Sequence, residues 1–236
     1  MNFLKAYRTI VKSSPQRNTI EVPTILSCLD FEDLNCLEIG PGPDARLAIK
    51  ISGFAKHITT LVKDKSDITS ANKLIKKQGL SKKISAKAYK IKNKLPFKSN
   101  SFDLVYGAWL PHKLVTDLEF LDEIRRVTKK HILFIMPGIK GDEPKLVSLI
   151  RPGEKQRRKK YKTIVSKYLR SKKYKVDFKD NILKMNFKNK QEIRQTYYSL
   201  AFRNDLTPSQ KNKVNKFLDK RIHNYKNGFY CIHAEK

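Results

Sequence analysis

The sequence predicts an α/β protein built on a doubly wound, seven-stranded, mostly parallel sheet whose last strand runs antiparallel. Three observations carry this. Short apolar runs alternate with amphipathic stretches along the chain, the pattern of a parallel sheet covered on both faces. The first of those runs enters a glycine turn and then a helical stretch, in the segment CLEIGPGPDARLAIKI from Cys36 to Ile51. The last run, Phe229–Ala234, follows the turn pair Asn227-Gly228, which lets the final strand reverse direction.

Two helices open the chain, Phe3–Lys12 and Thr19–Leu29, the second with Pro23 near its first turn. Strand Leu34–Ile39 follows, then helix Asp44–Ser52, strand His57–Val62, helix Ser66–Gln78, and strands Lys83–Tyr89 and Phe102–Ala108. Helix Thr116–Lys129 leads to strand His131–Met136 and a basic helical segment. The sixth strand, Tyr174–Phe187, carries an interruption at Asp180 and Asn181; helices Gln191–Phe202 and Pro208–Tyr225 precede the seventh. There are no repeats and no low-complexity linker. The expectation is one domain over 1–236, with an N-terminal helical extension (1–33) and a basic helical insert (139–173) between strands five and six.

Hydrophobic residues at 39% and aromatics at 10% are those of a globular chain, and no apolar run reaches the roughly 20 residues of a membrane span. The N-terminal MNFLKAYRTIVKSS is amphipathic and lacks the apolar centre of a secretory signal, so a cytoplasmic protein without membrane contact is expected. Cys28, Cys36 and Cys231 are odd in number and far apart, a pattern of free thiols rather than of a disulfide framework or a zinc site.

Charge is the strongest compositional feature: 51 Lys+Arg against 22 Asp+Glu give a formal net charge of +29. Such a field attracts polyanions, although lysines run from Lys5 to Lys236 and a generally basic surface accounts for much of it. One segment is denser. Between Arg151 and Lys175 there are twelve basic residues and one acid, Glu154, with Tyr161, Tyr168 and Tyr174 interleaved. That combination suits a single-stranded nucleic acid, with Arg157, Arg158, Lys159 and Lys160 as phosphate contacts. Ile164, Val165, Tyr168 and Leu169 also form an ordinary buried stripe on the same helix.

The glycine turn is a candidate cofactor loop. Gly40 and Gly42 allow a sharp reversal and a close backbone approach by a ligand, and the following helix offers its positive end. Read as G-x-G-x-x-A, Gly40, Gly42 and Ala45 fit a dinucleotide fingerprint, with Asp64 about 20 residues on. Against NAD stand the helical residues ahead of this strand and Glu38, two positions before the first glycine. A carboxylate there attracts a cationic ligand or ties down the loop, and NAD carries no cation on that side.

Three ordered blocks, LEIGPGPD (Leu37–Asp44), LPFKSNSFDLVYGAWLPH (Leu95–His112) and LDEIRRVTKKHILFIMPG (Leu121–Gly138), resemble the class I S-adenosylmethionine-dependent methyltransferases, most closely the broad group called type 11. The resemblance implies a Rossmann-like fold, S-adenosyl-L-methionine as cofactor and methyl transfer to a small molecule or an RNA. It also implies the cofactor side of the site: Glu38, Gly40, Pro41 and Gly42 at the loop, Asp64 for the ribose, Asn93 toward the adenine, and Gly107 and Ala108 at the sulfonium end. Trp109 and His112 fall on the acceptor side, His112 as a catalytic base with an ordinary pKa of about 6.5. No metal is implied.

The sequence departs from the pattern in several places. Asp44 stands at the third glycine position, where capping of the next helix is its expected role. Val62-Lys63-Asp64 puts the acid one position late, and near Lys90-Ile91-Lys92-Asn93 only Asn93 has an acceptor side chain. These losses fall on the cofactor contacts rather than on the fold. They leave a second reading open, a methyltransferase-fold protein without catalysis that serves as an RNA-binding or scaffold subunit.

Overall fold

A computed structural model of the chain describes residues 1–63, 65–90 and 94–236. Strand β1 (Asn35–Ile39) is buried from Cys36 onward, as a continuous apolar run needs when strands lie on both sides of it. It pairs in parallel with β2 (His57–Val62), and β2 with β3 (Ile84–Ala88); on its other side it pairs with β4 (Phe102–Ala108), which pairs with β5 (Thr128–Gly141). Strands β6 (Lys175–Met185) and β7 (Tyr225–Glu235) complete seven strands in the order β3-β2-β1-β4-β5-β7-β6. β7 runs antiparallel to β5: the Lys236 N–H donates to the Lys130 carbonyl at 3.0 Å, and the Asp142 N–H to the Lys226 carbonyl at 2.7 Å.

The helices are α1 (Phe3–Lys12), α2 (Val22–Leu26), α3 (Arg46–Ile51), α4 (Lys65–Lys77), α5 (His112–Val115), α6 (Leu118–Val127), α7 (Glu143–Ser148), α8 (Glu154–Ser171), α9 (Lys190–Leu200) and α10 (Pro208–Asp219). Caps set several of these limits. Asn2 caps α1, Asp117 accepts from the Glu119 and Phe120 N–H groups at the start of α6, and Thr207 with Gln210 forms a capping box ahead of α10.

The chain divides into two compact units. One comprises residues 24–136, 161–179 and 231–236, and its core is built from the buried residues of β1, β2 and β4 with Ala48, Ile51, Leu121 and Ile124. The other comprises residues 1–23, 137–160 and 180–230, with Leu146, Met185, Phe187, Ile193, Tyr197, Leu218 and Tyr225 at its centre.

Several elements differ from the sequence expectation. The second N-terminal helix is a π-helical turn (Arg17–Glu21) running into α2, and the turn closes on a buried ion pair between Arg17 and Glu21 at 2.9 Å. β5 continues past Met136 to Gly141, because a β-carbon on Gly138 would lie 2.8 Å from the Gly228 backbone: this is a close strand approach that only glycines permit. β6 is unbroken through Asp180 and Asn181. α10 stops at Asp219, and Tyr225, expected at its end, is instead the buried first residue of β7.

Candidate functional site

The turn after β1 is left-handed at three residues: Gly40 (φ 64°), Gly42 (φ 71°) and Ala45 (φ 44°), with Pro41 and Pro43 buried between them. Ala45 is the cap position of α3 and offers it no side-chain bond; Asp44, expected to cap, accepts instead from the Ser70 hydroxyl at 3.2 Å. Gly107, the last residue but one of β4, lies directly opposite Ile39 and is followed by Ala108 and by Trp109, whose φ is 57° and whose N–H donates to the Ile135 carbonyl at 2.7 Å. This kink turns Leu110 back over the loop. A β-carbon on Gly40 would sit 2.8 Å from Leu110 Cδ2, and one on Gly107 would sit 2.6 Å from Leu110 Cδ1 and 3.1 Å from the Ile39 carbonyl oxygen. Gly40 is therefore favoured by its left-handed backbone, and Gly107 by the close approach of Leu110 and the Ile39 carbonyl.

Beneath the loop is a buried polar cluster. Glu38 lies in register with Thr60 on β2 and Tyr106 on β4, so the three side chains share one face of the sheet. Glu38 is 1% exposed, its Oε2 has no hydrogen-bond partner among the described residues, and the Tyr106 hydroxyl has none either. Burial pushes the Glu38 carboxyl up to about 7, against the opposing pull of the Thr60 hydroxyl, the Arg46 guanidinium and the Ala48 backbone. Burial, with the Glu38 carboxylate beside it, holds the Tyr106 phenol well above its ordinary range. A half-satisfied buried carboxylate is costly unless a cation or donor reaches it. Its orphan oxygen therefore fits a ligand that brings a positive group to the glycine loop. Cys36, pushed up to about 12 by burial and by the nearby Asp103 and Glu38 charges, is an inert thiol.

Beyond β4, His112 opens α5, half-buried and stacked on Tyr161 of α8 with ring centroids 4.6 Å apart and planes inclined by 22°. Trp109 is half-buried three residues earlier. The structure thus brings Glu38, Gly40, Pro41, Gly42, Gly107, Ala108, Trp109 and His112 to the ends of β1 and β4 and the turns that follow them. Asp64 and Asn93 lie outside the described residues.

The basic segment divides. Arg158 is 3% exposed: its Nε donates to Glu154 Oε1 at 2.8 Å, and its Nη1 donates to the Gly138 carbonyl at 2.8 Å and to Glu143 Oε2 at 3.4 Å. Arg157 donates to Glu154 Oε2 and to the Pro152 and Arg151 carbonyls, closing the turn ahead of α8. Both arginines are committed to the protein, whereas Lys159 and Lys160 are exposed. Sequence reasoning missed Thr60 and Tyr106, which strand register brings beside Glu38; Leu110, which follows the Trp109 kink; and Arg46, at the start of α3. Tyr161, one of the three tyrosines interleaved with the basic residues, stacks on the ring of His112.

Residues 37–136 match the family model described as a methyltransferase domain. No curated protein matches the chain. Among solved structures, a candidate methyltransferase from Bacillus halodurans C-125 superposes with a TM-score of 0.62 at 13% identity, over 92% of this chain and 98% of that one. An S-adenosylmethionine-dependent methyltransferase from Aquifex aeolicus gives 0.55 at 16% identity, over 96% and 97%. The geranyl diphosphate C-methyltransferase from Streptomyces coelicolor A3(2), solved with Mg2+, geranyl diphosphate and S-adenosyl-L-homocysteine, gives 0.54 at 10% identity, over 92% and 78%. At these identities the likeness is one of fold. With the strand order and the glycine loop, it defines the fold of class I S-adenosylmethionine-dependent methyltransferases. The stretch that matches the methyltransferase-domain model, residues 37–136, runs from β1 through the glycine loop and β4 into β5.

Proposed function

We propose that the protein transfers a methyl group from S-adenosyl-L-methionine to a nucleophilic atom of a small molecule or an RNA. The observation that carries this reading is Glu38, a buried carboxylate with one orphan oxygen under a left-handed glycine loop. Glu38 would pair with the cofactor's amino group, and the backbone at Gly40, Pro41 and Gly42 would face its methionine portion. Gly107 and Ala108 would border the reacting end, with Asp64 holding the ribose hydroxyls and Asn93 the adenine edge. When bound, S-adenosylmethionine supplies a methyl group on a sulfonium, whose departure as a neutral thioether leaves the protein mainly a task of alignment. Trp109 and the His112–Tyr161 stack would form the acceptor wall. His112 would take the acceptor's proton: both ring nitrogens are shielded from solvent, so a proton received there stays off bulk water until release. Of the segment 151–175, Lys155, Lys159, Lys160 and Lys167 remain exposed to meet phosphates if the acceptor is RNA.

One observation favours the second reading, a methyltransferase fold serving as an RNA-binding or scaffold subunit: β2 ends at Val62 and is followed by Lys63, where the resemblance calls for an acid. Calorimetric titration with S-adenosylmethionine and with S-adenosylhomocysteine separates the two. Binding of both that weakens in Glu38→Gln supports methyl transfer, and failure of both to bind the wild type rejects it.

A further inference from the structure

A groove of about 410 Å3 lies outside the methyltransferase domain, bordered by the ends of β5 and β7 and by α7 and the turn after α10. Its walls carry four cations, Lys145, Lys220, Arg221 and Lys226, and a single carboxylate, Asp142. That carboxylate is already satisfied. Asp142 is 7% exposed and accepts from Arg221 Nε at 3.1 Å and from the Lys226 backbone N–H at 2.9 Å. The strands are fixed here as well, since Gly141 (φ 89°) sits so close to β7 that a β-carbon would lie 2.6 Å from the Lys226 carbonyl oxygen.

Arg221 is held on three sides. Besides Asp142, its Nη1 donates to the Phe217 carbonyl at 2.8 Å and its guanidinium lies 3.7 Å from the Phe217 ring centroid. Nη2 makes no hydrogen bond among the described residues. A guanidinium immobilised by a carboxylate and an aromatic ring, with one amino group left over, is an oriented donor for a tetrahedral oxyanion. The ammonium groups of Lys145, Lys220 and Lys226 have no ion pair among the described residues and add mobile point charges around the same space. Asn224 adds an amide, and Ile182 is the one apolar side chain of the wall. The size falls within the roughly 300–1,000 Å3 of small-ligand sites, and four of the eight lining residues are cations whose aliphatic stems also face the space.

We infer that this groove binds phosphate groups, with Arg221 as the oriented donor and the three lysines as the charge that retains them. The ligand is a phosphoester or diphosphate, either free or as successive phosphates of a nucleic-acid backbone, and it is independent of methyl transfer.

The test titrates the full chain with inorganic pyrophosphate by calorimetry, and with a fluorescent single-stranded RNA by anisotropy. Lys145→Gln/Lys220→Gln/Lys226→Gln is compared with Lys73→Gln/Lys76→Gln/Lys77→Gln, which removes three exposed lysines of α4. The groove triple is expected to weaken pyrophosphate binding by about tenfold or more, and the α4 triple by less than about twofold. Arg221→Lys, which keeps the charge and loses the fork, should weaken it several-fold while S-adenosylmethionine binding is unchanged. If pyrophosphate fails to bind the wild type but RNA affinity falls about tenfold in the groove triple alone, the phosphates are those of a backbone and the groove assignment stands. Equal losses in the two triples, or no loss in the groove triple with either probe while circular dichroism shows it folded, overturns the inference.

Discussion

Replacing Glu38 by glutamine separates a desolvated carboxylate from an ordinary one. The wild-type group rises from an ordinary 4.5 to about 7 because the folded protein buries it. At about 1.4 kcal/mol per pH unit, holding it ionised costs the native state about 3 kcal/mol. An acid whose folded pKa is raised adds nothing against folding below its unfolded value, and its penalty grows as pH climbs through the window from 4.5 to about 7. Between about pH 5 and about pH 8 the wild type should therefore lose about 2 to 3 kcal/mol that Glu38→Gln keeps. With a urea slope of about 2 kcal/mol/M, the midpoint difference between the two proteins changes by about 1 M over that range. Other carboxylates titrate in both proteins and cancel in the difference. Saturating S-adenosylmethionine should reduce the pH-dependent gap, because its cationic amine stabilises the ionised carboxylate, and it should bind Glu38→Gln about 1.5 to 3 kcal/mol more weakly through loss of a charged hydrogen bond. Parallel pH profiles for wild type and variant would show Glu38 titrating like a solvated acid and refute the reasoning.

The β1–β4 half of the protein was legible because each of its signals is local. Strands β2 and β4 begin and end at the residues that the apolar runs mark, and the glycine turn falls where Gly40 and Gly42 stand. The other two sequence blocks interlock in a way that no local reading supplies. The Leu95 N–H donates to Glu123 Oε1 at 2.5 Å and Arg126 Nη2 donates to the Phe97 carbonyl at 2.8 Å, so acids and arginines of α6 clamp the loop that carries Leu95-Pro96-Phe97. The roles of Tyr106 and Thr60 were hidden for the same reason: only the register Glu38↔Thr60 and Glu38↔Tyr106 puts them beside the carboxylate. In the basic segment the pattern misleads. Arg158 reads as surface charge by composition, yet Glu154 four residues earlier, Glu143 on another helix and a β5 carbonyl together make burial of its guanidinium possible.

Three further outcomes rest on these interactions. Gly42→Val should abolish S-adenosylmethionine binding in calorimetry while circular dichroism still reports a folded chain, since a β-branched residue resists a φ of 71° and crowds the backbone approach; undiminished affinity would remove the loop from the site. Gly107→Ala should cost about 1 to 3 kcal/mol in urea unfolding, and less than that on a Leu110→Ala background, because the added carbon meets Leu110 Cδ1 at 2.6 Å; additive losses would show that Leu110 is not the obstacle. Arg158→Ala should lower stability by about 3 to 5 kcal/mol, because it strips Glu143 and the Gly138 carbonyl of their shared donor and leaves Glu154 to Arg157 alone, all in a setting where the guanidinium is 3% exposed. Its effect on RNA affinity should be no larger than that of Lys73→Gln, whereas Lys159→Gln/Lys160→Gln should flatten the salt dependence by about 0.7 for each phosphate those lysines no longer reach. An Arg158→Ala protein that keeps its urea midpoint but loses RNA binding would place this guanidinium at the phosphates and undo the buried-network account.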